Sequence, residues 1–337
     1  MPLSRRAAVA ALLVAGALAA APSVAAAQSA PPPACGGRDI AAGLDLAAAR
    51  AARADELADG QGLLWRVERD GIAPSYLFGT IHSTDDGATA IARRAAAVAA
   101  KATVVATELG GPFDAVDRGA LSAKLLAGAI DRDDDTFLPD LAGAAGAPVE
   151  ALVAAHGVPK EMAHHLKLWF LAASVEAPLC EQAREQAALP EVDEIVAEAG
   201  AAAKIPVVGL ETADEQLAAL AAAPPALAAA LLKTSARVPK LDDDAYATMV
   251  RLYRDGRPAE MIAVVDALPE LTAEERAAER AFDDLLLIGR NATMAERAAP
   301  LVAKGGAFVA VGALHLPGKG GLIARFRAMG YRVVNVW

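Results

Sequence analysis

Short apolar runs typical of β-strands alternate along this chain with long alanine-rich stretches typical of helices. The runs predicted as strands are 63–69, 75–80, 103–107, 204–210, 308–311 and 331–336, and Asp70-Gly71 predicts a hairpin turn between the first two. Strands interleaved with helices are typical of α/β folds. We therefore predict one α/β domain over residues 40–337, with a sheet of at least five strands and a helical region at about 115–198. The helices predicted outside that region are 40–57, 91–100, 213–233, 243–266 and 272–297.

The first 27 residues have the features of a secretory signal peptide. Arg5 and Arg6 precede an uncharged apolar run over 7–21, and Ala25-x-Ala27 offers a cleavage point. The run is too short for a comfortable membrane span, and a twin-arginine signal is the competing interpretation. We expect a periplasmic or secreted protein without a stable membrane anchor, in which residues 28–39 form a proline- and glycine-rich linker.

Charge and cysteine content restrict the partners and the compartment. The whole chain has a formal charge of −10, which becomes more negative when Arg5 and Arg6 leave with the signal. An acidic chain is a poor partner for nucleic acids and anionic membranes. The two cysteines, Cys35 and Cys180, indicate a disulfide in an exported protein, with two separate thiols as the alternative.

Two of the five histidines end nearly identical sequences. Gly79-Thr80-Ile81-His82 and Gly312-Ala313-Leu314-His315 each follow a predicted strand. Core packing gives no reason to place a glycine three residues before a histidine twice. The repetition therefore indicates a site built from two strand ends.

Two glutamates, Glu108 and Glu211, also follow predicted strands. Ligands of open α/β sheets bind beyond the carboxyl ends of the strands, so we expect both histidines and both glutamates to converge there. Two imidazoles and two carboxylates suit a divalent metal such as Zn²⁺, Mn²⁺ or Co²⁺. The alternative is that the glutamates are helix caps or surface acids. Thr212 and Glu215 have the spacing of a capping box, which leaves Glu211 free to face the crevice.

Together these motifs resemble the TraB/GumN family, which is related to PrgY and to the Tiki proteases. The resemblance covers about 63–337 and rests on Leu77-Phe78-Gly79-Thr80-Ile81-His82, Glu108, Val208-Gly209-Leu210-Glu211-Thr212 with Glu215-Gln216-Leu217, Arg290-Asn291 with Met294, and Val311-Gly312-Ala313-Leu314-His315-Leu316 with Gly318 and Gly321-Leu322. It implies a fold similar to the ChaN and erythromycin-esterase proteins, with a mixed sheet flanked by helices. The alanine-rich helical region predicted from the sequence would be a large insertion in this fold.

For Tiki-like members the resemblance also implies metal-dependent peptide hydrolysis. By position, His82 and His315 would bind the metal, and Glu108 and Glu211 would be a ligand and a general base in undecided order. Arg290 would stabilise an oxyanion or hold a substrate carboxylate, and Asn291 would orient one of these groups. Close backbone approach at Gly79 and Gly312 would leave room for the metal and its water. Lys167-Leu168-Trp169 and Asp193 also match family positions, and we interpret both as packing features.

Two other functions remain open for the same crevice. One is a non-catalytic module that binds haem or a signalling peptide, and the other is a metal-independent esterase-like hydrolase with a histidine base. The chain has no Gly-x-Ser-x-Gly nucleophile elbow, and its glycine-rich run at 316–322 lacks the spacing of a P-loop. The expected substrate is a peptide or a small molecule.

Overall fold

The computed structural model describes residues 32–113, 115–130, 141, 146–238 and 240–337. The predicted signal at 1–27 lies outside the described residues, as do the first part of the linker and parts of the predicted helical region.

Six strands form one mixed sheet in the order β4-β3-β5-β2-β1-β6. The strands are β1 (Leu64–Arg69), β2 (Ile72–Thr80), β3 (Val104–Thr107), β4 (Val207–Gly209), β5 (Ala307–Gly312) and β6 (Arg332–Asn335). β2 and β5, β5 and β3, and β3 and β4 are parallel pairs, whereas β1 is antiparallel to β2 and β6. The predicted α/β fold with a mixed sheet is confirmed, and β1 and β2 form the predicted hairpin across Asp70-Gly71.

Helices cover the sheet, and further helices pack on one another in a second region. They are α1 (Ala47–Ala52), α2 (Ala54–Leu57), α3 (Asp86–Ala99), α4 (Ala115–Ala129), α5 (Gly146–Ala155), α6 (Lys160–Ala163), α7 (Leu168–Ser174), α8 (Leu179–Gln186), α9 (Val192–Ala202), α10 (Ala213–Ala221), α11 (Pro225–Arg237), α12 (Lys240–Arg254), α13 (Met261–Ala267), α14 (Ala273–Lys304) and α15 (Leu322–Ala328). Short 3₁₀ turns occur at Ile40–Gly43, Pro258–Glu260 and Ala313–His315.

The central strands are buried on both faces. Phe308 and Ala310 of β5 join a core with α3, α9 and α12, whereas Val309 and Val311 join a core with α14 and α15. This division follows from the alternation of side chains along a strand. A third core holds residues of α4, α5, α7, α11 and the first half of α14, so α14 runs from the helical region to the sheet.

Three predicted helices are broken in the structure. The stretch 40–57 divides because the side chains of Asp39 and Asp45 accept hydrogen bonds from the amides two residues later, which starts new short elements. The stretch 213–233 bends by 83° between α10 and α11, because Pro224 and Pro225 lack the amide hydrogens that a continuous helix needs. The stretch 243–266 ends its first helix near Gly256, whose φ is +69°.

A disulfide joins Cys35 to Cys180, with 5.2 Å between the Cα atoms. The predicted pairing is therefore confirmed. It ties the segment before the first 3₁₀ turn to α8, and it indicates an oxidising compartment. Arg38 adds a second attachment, because its amide and guanidinium donate hydrogen bonds to Asp244 of α12.

Across the described residues, no single helix is both long enough and apolar enough to cross a membrane. The bent pair of α10 and α11 meets the length and composition requirement only when its two helices are taken together.

Candidate functional site

The four predicted strand-end residues lie along one edge of the sheet. His82, His315, Glu108 and Glu211 follow β2, β5, β3 and β4, which are adjacent and mutually parallel, and all four side chains are buried. They divide into two groups. Glu108, Glu211 and His315 surround Arg290, whereas His82 contacts two acids at the start of α9.

Arg290, from the middle of α14, joins the two glutamates. Its Nη2 atom lies 2.6 Å from Glu108 Oε2 and 2.6 Å from Glu211 Oε2, and its Nε donates to both oxygens of Glu211. Its Nη1 donates to the carbonyl of Leu286 and faces His315 Nε2 at 3.4 Å. All five N–H groups of the guanidinium therefore have partners within the protein, which leaves none for the predicted oxyanion or substrate carboxylate.

This arrangement sets the charges of the two glutamates. Burial alone would raise the pKa of Glu108, but the adjacent Arg290 lowers it to about 2. Glu108 Oε1 also accepts a hydrogen bond of 2.7 Å from the amide of Gly312. For Glu211, burial raises the pKa and outweighs the opposing effect of Arg290.

His315 is held as a neutral imidazole. Burial lowers its pKa to about 3, and its Nδ1 lies 2.6 Å from Asn291 Oδ1. The amide nitrogen of Asn291 donates to the carbonyl of Gly320, so Oδ1 is the atom that faces the ring and Nδ1 carries the hydrogen. Asn291 thus orients a histidine, and the unprotonated Nε2 of His315 faces Arg290.

The glycine of the first Gly-x-x-His sequence allows the second sequence to approach it closely. A Cβ atom at Gly79 would lie 3.0 Å from the Cα atom of Ala313. Close backbone approach was expected here, but the space is taken by the chain after β5 rather than by a metal. Gly312 contributes its amide to Glu108.

His82 belongs to a second group of polar residues. Its Nδ1 lies 3.2 Å from Glu191 Oε2 and 3.1 Å from Asp193 Oδ2. Glu191 is the N-cap of α9 and Asp193 lies in the first turn. Asp193 therefore contacts a site residue, contrary to its interpretation as a packing feature. Sequence reasoning missed Glu191, because an acid at a helix start is also an ordinary cap.

His82, Glu191 and Asp193 are the one group of three or more possible metal ligands found within the described ranges, with donor atoms within 4.8 Å of one another. The predicted set of His82, His315 and Glu108 does not meet this distance. Arg290 gives the physical reason, because its charge already compensates Glu108 and would repel a metal ion beside it.

A cavity of about 360 Å³ lies beside both groups. It is lined by His82, Thr107, Glu108, Leu109, Gly110, Pro112, Phe113, Arg118, Leu121, Ser122, Glu185, Gln186, Ala188, Leu189, Pro190, Glu191, Asp193, Glu194, Ala197, Glu198 and Gln216. Acids outnumber basic groups in this lining. Burial and the nearby charge of Glu191 raise the pKa of Glu185 to about 9. Glu185 is therefore protonated at neutral pH, and the other acids of the lining still outnumber its basic groups.

Residues 63–335 match the model of the TraB/PrgY/gumN family. The chain belongs to this family. No curated protein and no solved structure matches the chain. The matched residues of this TraB/PrgY/gumN protein include the Arg290 cluster, the His82 group and all six strands.

The His82 group of this TraB/PrgY/gumN protein fits a divalent cation. Asp193 Oδ2 is buried and faces His82 Nδ1 at 3.1 Å, so these two possible donor atoms point to the same place. One imidazole and two carboxylates form a donor set that Zn²⁺, Mn²⁺ and Co²⁺ accept. The other oxygen of Asp193 accepts a hydrogen bond from Thr80, as expected for an oriented metal ligand.

Proposed function

We propose that this protein is an exported, metal-dependent hydrolase that cleaves peptides. The observation that carries the proposal is the His82–Glu191–Asp193 group in the wall of an acidic cavity. The resemblance to Tiki-type proteases supports a peptide substrate, and the disulfide supports export.

His82, Glu191 and Asp193 would hold the cation. A cation bound there would supply Lewis acid chemistry toward a scissile carbonyl and a nucleophilic water. Only three protein ligands contribute, and the group borders the cavity, so substrate and water have access to the same place. The bound cation would be Zn²⁺, Mn²⁺ or Co²⁺.

Glu108 is the carboxylate that would orient the attacking water and accept its proton. Of the two glutamates considered for this role, Glu108 lines the cavity and Glu211 does not. Arg290 keeps Glu108 ionised at neutral pH. A carboxylate with so low a pKa is a weak base, so its main contribution would be to position the water.

Glu108 would be held in place by a cluster of four residues, which are Arg290, Glu211, Asn291 and His315. None of them lines the cavity, and their polar atoms bind one another. This placement also bears on the alternative of an esterase with a histidine base. His315 does not line this cavity, and the Nδ1 atom of His82 lies within 3.2 Å of two carboxylates.

Metal analysis of the purified protein and a peptide-library cleavage assay, each with and without chelator, test the proposal. Asp193→Asn should lose both metal and cleavage. The matched control is Glu198→Gln, which neutralises an exposed acid of the same cavity that does not belong to the group. The control should keep the metal.

Three results would contradict the proposal. A protein that cleaves peptides without metal, a protein that binds no divalent metal, and an Asp193→Asn variant with unchanged metal content each exclude it. A haem titration that produces a shifted Soret band would instead support the ligand-binding alternative.

A further inference from the structure

The side chain of Gln216 bridges the two glutamates of the Arg290 cluster. Its amide nitrogen Nε2 lies 3.1 Å from Glu108 Oε2 and 3.3 Å from Glu211 Oε2. Arg290 Nη2 contacts the same two oxygens from another direction. Two carboxylate oxygens are thus held between one guanidinium nitrogen and one amide nitrogen.

Only one orientation of the Gln216 carboxamide fits these neighbours. Carboxylate oxygens that already accept hydrogen bonds from Arg290 can accept further hydrogen bonds but cannot donate them. Nε2 donates one of its two hydrogens to each carboxylate. Rotation of the amide by 180° would bring its oxygen against two negative oxygens and break both bonds. The Oε1 atom therefore lies on the opposite side of the amide, away from the glutamates.

The backbone of Gln216 is fixed as well. Gln216 lies in the first turns of α10, whose start is closed by the capping box of Thr212 and Glu215. Arg297 of α14 also donates to both oxygens of Glu215. Gln216 lines the cavity, whereas Arg290 and Glu211 do not.

We propose that Gln216 Oε1 is a fixed acceptor that receives a hydrogen bond from a main-chain N–H of a peptide bound in the cavity. The inference rests on the proposed function, since it names how that site recognises its substrate. Because Nε2 is committed to two carboxylates, the amide does not rotate to serve a ligand carbonyl instead.

The remainder of the cavity favours the same kind of ligand. Leu109, Phe113 and Leu121 form the apolar part of the wall, and Glu198 adds an exposed acidic group. An acidic wall repels carboxylates and favours N–H groups. A peptide segment offers both apolar side chains and N–H donors.

The test measures binding rather than turnover. An equimolar library of N-acetylated tetrapeptide amides is incubated with the disulfide-bonded protein in the presence of chelator, and retained peptides are identified by mass spectrometry. Gln216→Met keeps the length of the side chain without its amide. Gln186→Met is the matched control, because Gln186 lines the cavity and no hydrogen bond joins it to Glu108 or Glu211.

Retained peptides should bind Gln216→Met about 3- to 10-fold more weakly than wild type, the effect of one hydrogen bond. Gln186→Met should differ from wild type by less than about 2-fold. N-methylation of the peptides should weaken binding to wild type at one position by the same factor, and should have no further effect on Gln216→Met. The N-methyl series on wild type decides the question even if Gln216→Met does not fold.

The inference is overturned if wild type retains no peptide, if no single N-methyl position weakens binding, or if Gln216→Met binds like wild type. A protein that holds no divalent metal when purified without chelator, but shows the N-methyl effect, would refute the proposed hydrolase and support the acceptor role of Gln216.

Discussion

Thr80 Oγ1 donates a hydrogen bond of 2.6 Å to Asp193 Oδ1. This bond connects the end of β2 to the first turn of α9, and so joins the elements that carry His82 and its two acidic neighbours. It also leaves Asp193 Oδ2 directed at His82 Nδ1. Thr80 thereby fixes the orientation of the Asp193 carboxylate toward His82.

Replacement of Thr80 by valine should weaken divalent metal binding by about 10- to 100-fold, because partners that orient a ligand have effects of this size. Mn²⁺ affinity measured by calorimetry checks this expectation. Thr103→Val is the matched control, since the hydroxyl of Thr103 binds the carbonyl of Gly305 before β5 begins. Unchanged Mn²⁺ affinity in Thr80→Val would argue against the His82 group as the metal site.

Loss of Arg290 should destabilise the protein strongly. Arg290→Met leaves Glu108 and Glu211 buried together without a cation, and removing one partner of a buried ion pair costs about 3–5 kcal/mol. Urea unfolding of the purified variant measures this difference. Arg297→Met is the control, because Arg297 and Glu215 form an ion pair with both side chains 41% exposed. Its effect on stability should be small, because solvent screens an exposed ion pair.

A second substitution tests the reason for that loss. Glu211→Gln in the Arg290→Met background removes one of the uncompensated charges and should recover part of the stability. If the double variant is no more stable than Arg290→Met, repulsion between the two carboxylates is not the cause.

The sheet and the strand-end positions were predictable, because an apolar run followed by a single polar residue can be recognised in the sequence itself. The structure adds that β2, β5, β3 and β4 are parallel neighbours, which places His82, His315, Glu108 and Glu211 on one edge. The helix breaks were less predictable. The Pro224-Pro225 pair is readable as a helix break, but the alanine-rich sequence around it outweighed that signal.

The division of the site into two groups has no signature in the sequence. Arg290 lies 79 residues from Glu211 along the chain, and its pairing depends on how α14 crosses the sheet. Glu191 and Asp193 occupy the first turn of a helix, where acids are common for electrostatic reasons alone. Gln216 belongs to a matched motif, but only the structure shows that it binds both glutamates.

The disulfide should contribute substantially to stability. It links residues 145 positions apart, and closure of so long a loop restricts the unfolded chain. Replacement of both Cys35 and Cys180 by serine should lower the free energy of unfolding by about 2–5 kcal/mol. Unfolding of wild type with and without reductant provides the comparison. A reduced wild type as stable as the oxidised protein would contradict the expectation.

Asp244 should make the attachment of the amino-terminal segment dependent on pH. Burial alone would raise its pKa, but hydrogen bonds from Arg38 lower the pKa below its usual value of 3.8. A carboxyl group with a lowered pKa stabilises the fold above its unfolded-state pKa, and this contribution is lost as the pH falls through the folded-state value.

Asp244→Asn should therefore cost about 1 kcal/mol at pH 7, a modest value because the Arg38 side chain is largely exposed. The difference from wild type should begin to shrink near pH 3.8 and vanish only below the lower folded-state pKa. Urea unfolding across this range measures it, with the exposed Asp284→Asn as control, and a difference that stays constant with pH would exclude ionised Asp244 as its source.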